Sequence, residues 1–76
     1  MSVEERLEEA ARLYERAAEQ LERAAAHCRT AAGHFRNQEV PRGGAHAWAA
    51  HGHMRAAEEA LDEQARTHAA RSNPVP

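Results

Sequence analysis

With 76 residues the chain has room for one domain, a single core of this length supplies only about 3–5 kcal/mol of net stability, and the 19 Ala add little buried area to improve on that. A net charge of −2 lacks the basic surplus on which nucleic-acid binding depends. The sequence contains no apolar run long enough to span a bilayer, and MSVEERLEEA is too acidic for a signal peptide, so a soluble, cytoplasmic protein is expected.

The chain opens on Ser2-Val3-Glu4-Glu5, which fits a capping box with Ser2 as N-cap and Glu5 reaching back. Glu4, Glu5, Glu8 and Glu9 then crowd the first turns, where the helix dipole favours negative charge. Leu7, Tyr14, Leu21, Cys28 and Phe35 recur every seventh residue and form row a; Val3, Ala10, Ala17, Ala24 and Ala31 form row d; Ala11, Ala18, Ala25 and Ala32 form row e. This pattern predicts a helix over residues 3–38, with rows a and d as its packing seam.

Pro41 bars a helical continuation and Gly43-Gly44 follow it, so a turn is predicted over residues 39–44. A second helix is predicted over residues 45–71, with Ala47, Met54, Leu61 and His68 on one row and Ala50, Ala57 and Gln64 beside it. Ser72-Asn73-Pro74 stops that helix and opens a short tail over residues 72–76. The fold class is therefore all-α, one antiparallel helical hairpin over residues 1–76. Folding the helices together sets large against small, either Ala17 on Leu61 and Ala24 on Met54, or Ala24 on Leu61 and Ala31 on Met54.

Six His is a high count, and four of them form a pattern. His27 and His34 are a heptad apart on row g of the first helix, and His46 and His53 lie on the matching row of the second. Antiparallel packing sets His34 level with His46 and His27 level with His53. With Cys28 one row inward, this edge offers imidazole and thiolate ligands of the kind that suit zinc or copper. Against that reading, no helix carries two His at i,i+3 or i,i+4, and neither H-E-x-x-H nor paired Cys occurs. The plainer expectation is that the four His are half-exposed boundary residues. Cys28 is the only cysteine, so it forms no intrachain disulfide, and on an apolar row it reads as a small buried hydrophobe.

Leu13 and Trp48 fall outside the a/d seam and read as interface anchors. With so small a core, the chain is expected to pair as a homodimer, an antiparallel four-helix bundle. No nucleophile–base set, carboxylate pair or phosphate loop can be assembled, so no catalytic or cofactor-binding residue is assigned. The functional expectation is a non-enzymatic interaction module, a small scaffold or regulatory adaptor with a protein partner; the alternative is a small metal-binding bundle.

Overall fold

A computed structural model describes residues 1–72 and 74. It consists of α1 (Val3–Arg36) and α2 (Val40–Arg71), packed against each other as an all-α hairpin with Cα extents of 56 × 25 × 14 Å. α2 stops at Arg71 as expected; of the predicted tail, residues 73, 75 and 76 lie outside the described residues.

The capping box forms in both halves. The Glu5 backbone N–H donates to the Ser2 hydroxyl at 3.1 Å, and the Ser2 N–H donates to the Glu5 carboxylate at 3.3 Å. At its other end α1 closes in a Schellman motif. The Gln38 N–H donates to the Phe35 carbonyl at 3.0 Å and the Glu39 N–H to the His34 carbonyl at 2.8 Å. Gln38 occupies the left-handed position at φ 61°, a place more often taken by Gly.

The connection is thus only Asn37, Gln38 and Glu39, shorter and earlier than the predicted turn over residues 39–44. Pro41 lies in the first turn of α2 and starts that helix instead of separating it from α1. A first-turn residue has no carbonyl to donate to, so the missing N–H of Pro costs nothing there, and its fixed φ suits the helix. Gly43 and Gly44 are helical as well. Gly43 is buried beneath Phe35, where an added Cβ would come within 2.8 Å of the ring.

The seam differs from the predicted a/d pairing. The buried residues are Leu13, Ala17, Ala24 and Ala31 of α1, and Gly43, Ala50, Ala57 and Ala60 of α2. They belong to row d and to row g, which begins Arg6, Leu13, Gln20, His27, His34. Row a faces outward, leaving Leu7, Tyr14, Leu21 and Phe35 exposed. Rows a and g flank row d on opposite sides, and the helices close on the row-g flank, which leaves row a outside the seam. The buried cluster is small on small, Ala17 with Ala57 and Ala60 around Leu13, while Leu61 and Met54 keep about two-fifths of their surface exposed.

Leu13 is consequently no outer anchor. At 4% exposure it is the one large side chain in the core among the described residues, packed with Ala17, Ala57 and Ala60. Row g points into the seam, so the position that looked peripheral is central.

Candidate functional site

The two long sides of the hairpin carry different chemistry. Along one, row g of α1 and its counterpart on α2 bring His27, His34, His46 and His53 into a ladder. The predicted level pairs both occur as stacked rings, His34 with His46 and His27 with His53, each with centroids 5.4 Å apart. The helices are also staggered by half a step, so His27 reaches His46 as well, with Nδ1 atoms 2.9 Å apart. One ring must donate its N–H there while the other offers a lone pair.

Both ends of the ladder are closed by side chains that the sequence pattern left unassigned. The His53 ring lies 2.7 Å from Gln20 Oε1, and His34 Nδ1 lies 3.2 Å from Glu39 Oε1. Gln20 occupies row g between Leu13 and His27, so its heptad position carried the signal. Glu39 had no such signal, because it stood in a segment read as an open turn. The hydrogen bond to His34 is the main cause holding the Glu39 carboxyl below its ordinary value. Desolvation opposes it, while the charge of His34 and hydrogen bonds with Arg42 and Asn37 act with it.

Cys28 does not join this ladder. Adjacent helical residues point about 100° apart, so His27 turns into the ladder while Cys28 opens onto the other side, exposed. Among the described residues no group of three or more His, Cys, Asp and Glu is arranged to hold a metal ion. The ladder can pass a hydrogen bond between its two inner rings and anchor the helices at a fixed stagger.

The opposite side is apolar. Leu7, Tyr14, Leu21 and Phe35 project from α1, and Met54 and Leu61 from α2. Towards the turn the two helices frame a shallow groove lined by Cys28, Ala32, Phe35, Ala47, His51 and Met54. Towards the open end the bulkier Leu7, Tyr14 and Leu61 stand out. Trp48 flanks this side at 78% exposure, with its ring stacked on His51 at 5.8 Å between centroids.

Row b of α1 rims the apolar side and carries Glu8, Glu15, Glu22, Arg29 and Arg36, all exposed. Its acidic members lie in the open half and its basic members in the turn half. Among the described residues neither helix is long and apolar enough to cross a membrane. Comparison of the chain with protein-family models, with curated proteins and with solved structures gave no match.

Proposed function

We propose that the chain is a non-enzymatic helical interaction module, a small scaffold or regulatory adaptor that works as a homodimer through its apolar side. The observation that carries this reading is the outward row of Leu7, Tyr14, Leu21, Phe35, Met54 and Leu61, which holds most of the large apolar side chains outside the hairpin's own core. The accessible surface is 5884 Å², against about 4,600 Å² for a compact monomer of this mass. The excess is larger than the roughly 800 Å² that each partner buries in a stable interface. A second hairpin laid on that side completes a four-helix bundle and supplies the core that one copy lacks. Trp48, at the margin of the face, acts as an anchor for this or a further protein partner.

Sedimentation equilibrium at micromolar concentration tests the reading. A dimer is expected, with Leu21→Glu shifting it to a less stable monomer; a well-folded wild-type monomer would overturn the proposal.

A second reading, uptake of zinc or copper at the ladder, is favoured by the 2.9 Å approach of His27 Nδ1 to His46 Nδ1 from facing helices. Elemental analysis of fresh protein, with melting in the presence of zinc, tests it. A zinc-induced rise that His27→Ala abolishes supports this reading, and an unchanged melting temperature rules it out.

A further inference from the structure

Resting on the self-pairing just described, we infer that the two copies stack with their turns at opposite ends, α1 antiparallel on α1 and α2 antiparallel on α2. The rows of the apolar side are arranged symmetrically for this. A two-fold axis through Leu21 sets Leu21 on its own copy, Tyr14 on the partner's Cys28 and Leu7 on the partner's Phe35. An axis through Met54 sets Met54 on its own copy and Leu61 on the partner's Ala47. One axis serves both helices, because the neighbouring residues Gln20 and His53 meet across the seam at 2.7 Å and so hold Leu21 and Met54 at nearly the same height.

Shape and charge agree with this axis. Tyr14 and Leu61 protrude in the open half, and the groove by Cys28, Ala32 and Ala47 lies in the turn half. Reversing one copy seats the large side chains of each in the groove of the other. On the rim, the same reversal sets Glu15 against the partner's Arg29 and Glu8 against the partner's Arg36, and two-fold symmetry makes each pairing twice. Glu22 and Arg55 fall near the axis and each meet their own copy, a like-charge contact that offsets part of the gain from the flanking pairs.

The competing stack, with both turns at one end, lays α1 on α2. The levelling of Leu21 with Met54 by the Gln20–His53 contact also fixes which residues of the two helices share a height. That stack sets Tyr14 on Leu61 and Cys28 on Ala47, large on large and small on small, and on the rim it sets Glu15 against Asp62 while Glu22 meets Arg55, so its charge pairs cancel where those of the reversed stack add.

Charge reversal and cross-linking separate the arrangements. With turns at opposite ends, Glu15→Arg weakens self-association roughly ten-fold at low salt, and adding Arg29→Glu restores it. With turns at one end, Glu15→Arg relieves a repulsion and tightens the dimer. In a Tyr14→Cys variant, oxidised glutathione is expected to link the new thiol to the partner's Cys28 and give a covalent dimer. The two positions lie about 21 Å apart along one helix, beyond the roughly 7 Å limit for a disulfide, so the bond cannot close within a hairpin. If the wild type sediments as a dimer but Glu15→Arg leaves it unchanged or tighter, or the cross-link fails, the arrangement is wrong and self-pairing stands. A wild-type monomer removes both.

Discussion

The Phe35 ring covers Gly43 so closely that three of its carbons would lie 2.8 to 2.9 Å from a Cβ added there. Gly43→Ala therefore drives the ring off the first turn of α2, and a loss of about 1–2 kcal/mol is expected even after the better helix propensity of Ala. Gly52 has nothing within 4 Å of the same position. Gly52→Ala is expected to gain about 1 kcal/mol. Urea denaturation of the two variants checks the contrast, and equal effects of the same sign would contradict it.

Gln38 holds the left-handed position of the Schellman turn with φ at 61°. That conformation costs a residue with a Cβ about 1–2 kcal/mol, a cost Gly escapes at the expense of a freer unfolded chain. Gln38→Gly is expected to raise stability by up to about 1 kcal/mol, seen as a higher melting temperature with unchanged helicity.

Among the described residues Leu13 is the only large apolar side chain that is buried. Replacing it by Ala removes about 2–4 kcal/mol, against a total of about 3–5 kcal/mol for a core of this length. Circular dichroism of Leu13→Ala at 25 °C is expected to show a mostly unfolded chain, whereas Leu7→Ala, on the exposed row, keeps its helices and weakens self-association instead.

The Glu39 carboxyl, held low chiefly by its hydrogen bond to His34, binds protons less readily in the folded chain than in the unfolded one. Its contribution to stability is complete above the ordinary carboxylate range and disappears as pH falls through the depressed value. Melting temperatures between about pH 6 and pH 3 are expected to fall more steeply for the wild type than for Glu39→Gln. Parallel profiles would mean that the His34 contact does not persist in solution.

The two helices and their antiparallel order were legible because heptads of Ala and large apolar residues leave little else to form. The ladder was legible too, since His27, His34, His46 and His53 mirror one another about any turn near residue 40. The turn itself was misplaced, because Pro41, Gly43 and Gly44 signal a break equally well when they begin a helix or sit under a ring. The seam was misassigned for a different reason. Ala on row d is compatible with packing towards either flank, and bulk alone favoured row a. The helices close on the row-g flank, where Leu13 packs with Ala57 and Ala60 and the imidazoles stack across the seam, and Leu7, Tyr14 and Leu21 on the other flank are left outward.

The short connection through Gln38 also bears on how the hairpin forms. Phe35 and Gly43 are near neighbours along the chain, while Leu13 and Ala60 meet only after nearly all the intervening residues are in place. The entropy of loop closure is lost mainly at the first step, and each later cross-helix pair joins a chain already doubled back on itself. Pairing then advances outward from the connection like a zip. A defect near its start retards refolding, and one near its far end hastens opening. Stopped-flow measurements are expected to find Gly43→Ala acting on the refolding limb and Leu13→Ala mainly on the unfolding limb.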